Sequence, residues 1–543
     1  MKGLRAQGFF TGAAILALAG IICRLLGVVI RIPLANIVGN YGMGLYQMVF
    51  PLYALLLVVS GAGFPVAISK MVAREQAAGN PKECKRILLN SVILLGIIGA
   101  VVTALFMALA YHIAAFQGNR DVGVIYLGIA PSVFLVCIIS AFRGYFQGKQ
   151  NMLPTATSQI LEQLVKVAAG ITLAVLFIKI SVVWAVFGAI LAVTISETAA
   201  LLYLILLYLI SLRKHGGNNS PQTPLSGGAR GGVTPHRKHL MWQILKTSLP
   251  ITLMASIFPL ILVMDSLLVI KMLQGTGLDN AEATKMFGIS SGAVHTLVNL
   301  PAVLAAGIAV AIVPAVSGMM KQGKVEEVRK KMGLAIRVTI MISIFFTIFY
   351  FAFAEKLIDL LYHGAFRGNP EHLATAGKLL KIESLLIFLM GTSAVFTAML
   401  QGIDKARFPL IALLVGGGAK IAFQFAMIDR LGIYAISIGN VLCFAIASAI
   451  TCFFALYYIK IKHGVTMNWP RLAALAFGFL VLTLLLADKM PDNRWFVLLF
   501  GAICSILYAF LLAILGLLGL NKINIGKNSN KTKGEKHEQT RNH

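Results

Sequence analysis

Apolar runs of about twenty residues follow one another along almost the whole chain, and this succession limits the fold more than any other feature. A membrane-spanning helix needs about twenty mostly apolar residues, because the hydrocarbon core of a bilayer is about 30 Å thick. Applied along the 543 residues, this requirement predicts fourteen transmembrane helices. The predicted segments are 9–30, 43–68, 87–113, 122–146, 156–178, 182–212, 244–272, 286–318, 332–360, 376–401, 408–428, 431–460, 470–488 and 495–519. The sequence therefore predicts an all-α integral membrane protein.

Composition supports the same fold class. Hydrophobic residues make up 58% of the chain and charged residues 12%, whereas soluble domains carry about 25% charged residues. The net charge of +27 comes from basic residues in short loops between apolar runs, which indicates contact with anionic membrane lipids rather than with nucleic acid. The six cysteines lack metal or redox spacing, so we expect no metal and no cofactor.

Lysine and arginine collect in alternate loops. Short loops rich in these residues stay in the cytoplasm, so the alternation predicts a multi-pass protein of the inner (cytoplasmic) membrane with both termini cytoplasmic. The predicted outer loops are short and mixed in sign, and the longest covers 361–375. The basic side includes Arg143 near the end of the segment 122–146, Lys149, basic residues of 69–86, 213–240, 321–331, 405–407 and 460–462, and the C-terminal tail.

The two halves of the chain share a repeated pattern. The string Gly63-Phe-Pro-Val-Ala-Ile recurs as Gly307-Ile-Ala-Val-Ala-Ile, and the offset preserves helix orientation, although chance similarity of short apolar strings is the alternative. Parallel repeats of this kind place substrate between two lobes near the membrane midplane. The predicted units are an N-terminal lobe (1–213), a flexible cytoplasmic linker (214–240), a C-terminal lobe (241–462), two further helices (463–520) and a disordered basic tail (521–543).

Arg24 and Arg31 lie in one apolar helix candidate, Phe9 to Val38. Seven residues are close to two helical turns, so both guanidinium groups point to one side, about 10 Å apart. Charged groups at membrane depth usually face a bundle interior or a watery cavity, which predicts a cationic cavity for an anionic substrate. Alternatively, Arg31 snorkels to the outer interface and Arg24 pairs with a structural carboxylate. A straight helix would place Arg24 inside and Arg31 at the outer edge, whereas a bent helix would draw Arg31 inward.

Few other ionisable side chains lie within the apolar segments. Glu162 and Lys166, four residues apart, lie on one helix face and are able to pair directly. The candidate substrate-binding residues are Arg24, Arg31, Lys166, His295 and Lys420, and the candidate ion-coupling or counter-charge residues are Glu162, Asp265 and Glu197. The alternative for each is a satisfied structural contact between helices.

Prolines within the predicted helices give a second signal. Each proline removes a backbone hydrogen bond and favours a kink. Pro51, Pro65, Pro301 and Pro314 fall in the corresponding second and eighth segments and are candidate hinges for a moving bundle. Ordinary membrane-helix kinks are the alternative. No nucleotide-binding, zinc-binding or nucleophile motif is present, so transport is favoured over an enzyme.

Several motifs resemble the stage V sporulation protein B group of polysaccharide biosynthesis proteins. They are Arg143-Gly-Tyr-Phe-Gln-Gly-Lys-Gln-Asn-Met152, Pro154, Ser158-Gln-Ile-Leu-Glu-Gln-Leu-Val-Lys166, Arg24-Leu-Leu-Gly27, Arg31-Ile-Pro33 and Gly63-Phe-Pro-Val-Ala-Ile-Ser-Lys70. The group belongs to the multidrug, oligosaccharidyl-lipid and polysaccharide exporter superfamily, as do the MurJ lipid II flippases. The resemblance implies two six-helix lobes in a V plus two C-terminal helices. It also implies flipping of an undecaprenyl-pyrophosphate-linked saccharide by alternating access.

The match to the cavity residues of MurJ proteins is partial. Those proteins have cavity arginines in helices one, two and eight, and Arg24 and Arg31 resemble the first-helix pattern with one extra residue between them. Ile32 stands where an acidic neighbour is expected, the second helix lacks the arginine, and His295 and Thr296 lie near the helix-eight position. Glu162 and Lys166, which are typical of the sporulation group, are candidates to compensate for this difference in cavity charges.

The resemblance implies a lipid-linked precursor of peptidoglycan or polysaccharide as substrate, in cell-wall or spore-cortex synthesis. One alternative is a cation-coupled multidrug or metabolite exporter of the same superfamily, whose cavity should be acidic or aromatic. A second is a non-transporting scaffold that binds cell-wall synthesis proteins.

Overall fold

The computed structural model describes residues 9–61, 63–216, 237–303, 325–459, 469–489 and 495–514, together with 307, 316, 319 and 322. Every regular element in this part of the chain is a helix. The first half contains α1 (Phe9–Val29), α2 (Arg31–Gly61), α3 (Phe64–Ala77), α4 (Pro81–Gln117), α5 (Val122–Gly148), α6 (Leu153–Phe177) and α7 (Val182–Gly216).

The second half contains nine helices among the described residues. They are α8 (Arg237–Gly275), α9 (Asn280–Val303, π-helical over Gly288–Val294), α10 (Val325–Ala352), α11 (Ala354–Phe366), α12 (Pro370–Gly402), α13 (Arg407–Leu431), α14 (Tyr434–Ile459), α15 (Trp469–Asp488) and α16 (Phe496–Ile514). The predicted linker and tail, 214–240 and 521–543, lie wholly or mostly outside the described residues.

Twelve helices in the described chain are long and apolar enough to cross a membrane, and a shorter apolar helix, Phe496–Leu512, follows them. One of the twelve, Leu18–Ala77, runs through α1, α2 and α3 and contains a kink. The predicted all-α membrane fold is therefore confirmed. The number of fourteen spans stays a prediction.

The first membrane helix bends near its middle. Ile30 is a turn residue between α1 and α2, and Pro33 follows three residues later. Proline lacks an N–H group, so the carbonyl of Val29, four residues before Pro33, loses its helical partner. Further on, Gly39 adopts φ 68° and ψ −176°, a backbone region open to glycine. Residues 31–38 therefore form a separate helical segment at an angle to the rest of α2.

The helices pack as two groups that meet along α2. In the first group α6 packs on α7 and α4 on α5, and in the second α12 and α13 both pack on α14. Helix α2 contacts α8, α9 and α11 of the second group, while α15 packs against α10. One buried apolar core runs through both groups, so α2 lies at the boundary where any cavity between the lobes must form.

The two groups approach closely where α2 meets α11. At the predicted outer end, the amide of Asn36 donates to the carbonyl of Leu361 (2.7 Å) and its oxygen accepts from the N–H of Gly364 (2.8 Å). Asn40 donates to the carbonyl of Ala365 (3.2 Å). These contacts join α2 to α11 beside Tyr362, whose backbone (φ −119°, ψ 23°) interrupts the helix.

Two predictions about local structure are wrong. The outer loop predicted over 361–375 is largely helical, because α11 continues to Phe366 and α12 begins at Pro370. Pro65 was predicted to remove a backbone hydrogen bond within its helix, but it lies in the first turn of α3, where a missing N–H costs no helical hydrogen bond.

Candidate substrate cavity

A cavity of about 210 Å³ lies between the two groups of helices. Helix α2 supplies one wall, and α8, α9, α12, α13 and α14 supply the other. The polar and charged side chains that line it are Arg31, Gln47, Asp265, Ser291, His295, Asn299, Lys420 and Asn440, with Phe50, Pro51 and Phe444 among the apolar ones. The structure thus brings together Arg31, Asp265, His295 and Lys420 of the predicted site.

Arg31 reaches this cavity because the helix bends immediately before it. Its Nη1 donates to the Thr296 hydroxyl at 3.5 Å, and the guanidinium carbon lies 5.0 Å from the centroid of the Phe50 ring. Its Nε is buried without a hydrogen-bond partner. Among the described residues no carboxylate lies within ion-pair distance of Arg31. The guanidinium therefore has no counter-charge among the described residues and retains one unpartnered donor, Nε.

Arg24 lies elsewhere. It is exposed on α1, a helix that packs against α6, and it does not line the cavity. One turn along, Gly27 lies close to Gln163. A straight helix would have placed Arg24 deepest, whereas the bend at Ile30 brings Arg31 to the centre instead.

Lys420 and Asp265 form an ion pair across α13 and α8. Their side chains are 4% and 14% exposed, and Gln424, one turn beyond Lys420, donates to the other oxygen of Asp265 at 3.4 Å. Burial of two charges is costly, but their attraction and added hydrogen bonds offset the cost. The pair leaves this side of the cavity close to neutral.

His295 and Glu383 form the second polar group of the same wall. Nδ1 of His295 lies 3.3 Å from Oε2 of Glu383, which is fully buried behind it. The other carboxylate oxygen accepts from Ser437 (2.8 Å) and Asn440 (3.1 Å). These bonds tie α9, α12 and α14 together and hold the imidazole at the cavity surface.

The π-helical segment Gly288–Val294 directly precedes His295. Such segments are rare and frequent at functional sites, because the wider turn leaves backbone groups free for other partners. Here the carbonyl of Ser291 accepts a hydrogen bond from Gln47 of α2. The π-helix thus provides a polar contact across the cavity.

The remaining candidates lie in the first group of helices. Glu162 accepts from Arg143 of α5 at 3.0 Å, so the direct Glu162–Lys166 pairing considered from the sequence is not the contact formed. A planar guanidinium binds a carboxylate more favourably than a flexible ammonium does. Lys166 lines a separate cavity of about 30 Å³ that shares Phe50 with the main one.

Of the candidate hinges, Pro51 lies inside α2 and lines the main cavity. Pro301 is buried near the end of α9. Pro65 begins α3, as described above, and Pro314 lies outside the described residues.

Comparison with known proteins identifies the relatives of the chain. The family model described as Polysaccharide biosynthesis protein matches residues 9–320, and the MatE model matches residues 290–426. Stage V sporulation protein B of Bacillus subtilis (strain 168) is 31% identical over 430 residues, which are 78% of each chain. The chain belongs to the polysaccharide biosynthesis protein family.

Two further matches indicate the superfamily to which this protein belongs. The lipid II flippase MurJ of Bacillus subtilis (strain 168) is 24% identical over 505 residues, covering 89% of this chain and 88% of MurJ. A solved structure, "Lipid II flippase MurJ, inward closed conformation", matches with a TM-score of 0.68 at 15% identity, covering 93% of this chain and 99% of the other. The family member is therefore a multi-pass membrane flippase or exporter of the multidrug, oligosaccharidyl-lipid and polysaccharide exporter superfamily, and not an enzyme.

Sequence reasoning missed several contacts of this family member. Arg143 was predicted only as a basic residue of the cytoplasmic side, at the end of the segment 122–146, and its pairing with Glu162 was not predicted. Gln47 was passed over, although an amide in an apolar segment is itself a signal of a polar contact. Lys420 and Asp265 are 155 residues apart in the sequence and lie on different helices, so no local sequence pattern predicts that they pair.

Proposed function

We propose that this family member moves a polyprenyl-diphosphate-linked saccharide from the cytoplasmic to the outer leaflet of the cytoplasmic membrane by alternating access. The proposal rests chiefly on Arg31, because it is a cavity-lining cation with an unpartnered Nε and no carboxylate partner among the described residues. A planar guanidinium makes two charge-assisted hydrogen bonds to phosphate oxygens. An anionic headgroup fits this wall better than a cationic drug.

Lys420 adds a second cation from the opposite lobe. It is neutralised by Asp265 in the closed arrangement described above, and both residues line the same cavity as Arg31. A diphosphate between Arg31 and Lys420 would contact α2 and α13 together. Headgroup binding would thus favour approach of the two lobes, as alternating access requires.

The cavity must widen to accept a headgroup. Its 210 Å³ is below the 300–1,000 Å³ typical of small-molecule sites. Close contacts between α2 and α11 bound it at the predicted outer end, so their separation would release the headgroup outward. The polyprenyl tail would stay in the surrounding lipid throughout.

The distribution of lysine and arginine supports both termini in the cytoplasm and contact of the basic loops with anionic lipids. An ion gradient or the membrane potential would drive the cycle, and the potential supplies about 2.3 kcal/mol per elementary charge per 100 mV. The sporulation relative supports a role in cell-wall or spore-cortex synthesis.

Reconstitution tests the proposal. Purified full-length protein is placed in liposomes that contain a fluorescent lipid-linked diphosphate saccharide such as lipid II, and exchange between leaflets is followed by quenching from outside. We expect faster exchange than in protein-free liposomes under an imposed gradient. A matched assay measures uptake of an organic cation. Transport of the cation without movement of the lipid would identify a drug exporter instead, and movement of neither would support a scaffold.

A further inference from the structure

Glu197 is a buried carboxyl group outside the substrate cavity. It lies on α7 and is 2% exposed. Its Oε1 accepts from the hydroxyl of Tyr53 on α2 at 3.3 Å, and its Oε2 is buried with no hydrogen-bond partner. No cation forms an ion pair with it in the described part of the chain. A carboxyl in this position requires an explanation, because buried acids are usually paired.

Tyr53 of α2 and charged side chains of α5 and α6 lie near this group. Arg143 of α5 faces it but is held by Glu162 of α6 (3.0 Å) and by the Ser158 hydroxyl (3.2 Å). Glu162 adds a second negative charge near this group, and Lys166 a further positive one. From α1, Cys23 faces the same set of charges. Arg143 is thus shared between two carboxyl groups and bonded to only one.

The bonding favours a protonated Glu197. An isolated ionised carboxylate in a low-dielectric interior costs many kcal/mol, whereas a neutral acid costs only its unmade hydrogen bonds. The neighbouring negative charge of Glu162 disfavours a second carboxylate.

We infer that Glu197 is a proton-binding site of the first lobe and that Tyr53 connects it to the substrate cavity. The connection is short, because Tyr53 follows the cavity residue Pro51 by two positions and Phe50, which packs on Arg31, by three. Loss of the proton would leave a carboxylate that competes with Glu162 for Arg143. The resulting shift of Tyr53 would reach Arg31 through α2.

A proton suits this site better than a metal ion. Hard cations need several oxygen ligands, and the only described oxygen that hydrogen-bonds Glu197 is the Tyr53 hydroxyl. No cluster of three or more metal-ligating side chains occurs among the described residues. The inference extends the proposed function by naming the coupling ion, but its first test does not depend on transport.

Infrared difference spectroscopy of the full-length protein in lipid vesicles detects the proton directly. We expect a carbonyl band of a protonated carboxylic acid that disappears as the pH is raised and is absent in Glu197→Gln. Glu383→Gln is the matched control, because Glu383 is also buried but is fully hydrogen-bonded. A band that persists in Glu197→Gln, or that is lost equally in Glu383→Gln, overturns the inference.

Tyr53→Phe keeps the carboxyl group and removes its donor, so it tests the site if Glu197→Gln does not fold. We expect a shift of the band, because the carbonyl loses a hydrogen bond, and an unchanged band contradicts the assignment. Exchange of sodium for choline at constant pH should leave the band unchanged. A response to sodium and not to pH would replace the proton site by a sodium site.

A second experiment measures transport under an imposed proton gradient, in liposomes that contain a labelled lipid-linked diphosphate. We expect the gradient to accelerate leaflet exchange by the wild type and to have no effect on Glu197→Gln. Equal acceleration of both proteins would refute coupling at Glu197. Exchange by neither, with the infrared band intact, would refute the flippase proposal and leave the proton site standing.

Discussion

Gly44 of α2 packs directly against Thr284 of α9. A β-carbon at residue 44 would lie 2.1 Å from the carbonyl oxygen of Thr284, so only glycine permits this approach. The contact joins the two groups of helices on the predicted outer side of the cavity. At the opposite end, Gly63 approaches Ser248 of α8 in the same way, with a β-carbon distance of 2.3 Å to the Ser248 carbonyl oxygen.

We predict that Gly44→Ala and Gly63→Ala open opposite ends of the cavity, because each added methyl group prevents one close contact. The reporter is Cys443, which lines the cavity, in a variant without the other five cysteines. A membrane-impermeant thiol reagent added outside should label Gly44→Ala faster, and one added inside should label Gly63→Ala faster. Gly96→Ala is the control, since nothing lies within 4 Å of its β-carbon. Labelling of both variants from the same side would contradict two opposed closures.

Removing one member of the Lys420–Asp265 pair should destabilise the protein. Asp265→Asn leaves a buried ammonium without its counter-charge, which costs about 3–5 kcal/mol. The double variant Asp265→Asn with Lys420→Gln should regain part of this loss, because it removes both charges. Thermal unfolding in detergent measures the cycle. Additive losses in the double variant would show that the two charges do not interact.

The Asn36 side chain should stabilise the contact between α2 and α11. Asn36→Ala deletes its bonds to the Leu361 carbonyl and the Gly364 N–H beside the interruption at Tyr362. Both bonds are exposed to solvent, so we expect a loss of about 0.5–1.5 kcal/mol in the free energy of unfolding. Hydrogen exchange at α11 should also increase. Unchanged exchange there would show that water replaces both bonds.

The sequence was sufficient for the fold class because apolar length alone decides it, and the comparisons confirm the superfamily. The position of Arg31 could have been predicted from the sequence, since Pro33 and Gly39 mark the bend that brings it inward. The partners of Glu162, Asp265 and Glu383 could not have been predicted. Each lies on another helix, and helix rotation is set by packing that periodicity in an almost wholly apolar segment does not reveal.

The central claim is that Arg31 holds the diphosphate. Its direct test is leaflet exchange of a labelled lipid-linked diphosphate in liposomes containing wild type, Arg31→Gln, Arg31→Lys or Arg24→Gln, with Arg120→Gln as a surface control. We predict a loss of about tenfold or more for Arg31→Gln, because charge-assisted hydrogen bonds contribute about 1.5–3 kcal/mol each. Arg31→Lys should keep part of the rate, and Arg24→Gln most of it. Full activity of Arg31→Gln would contradict binding of the diphosphate by Arg31.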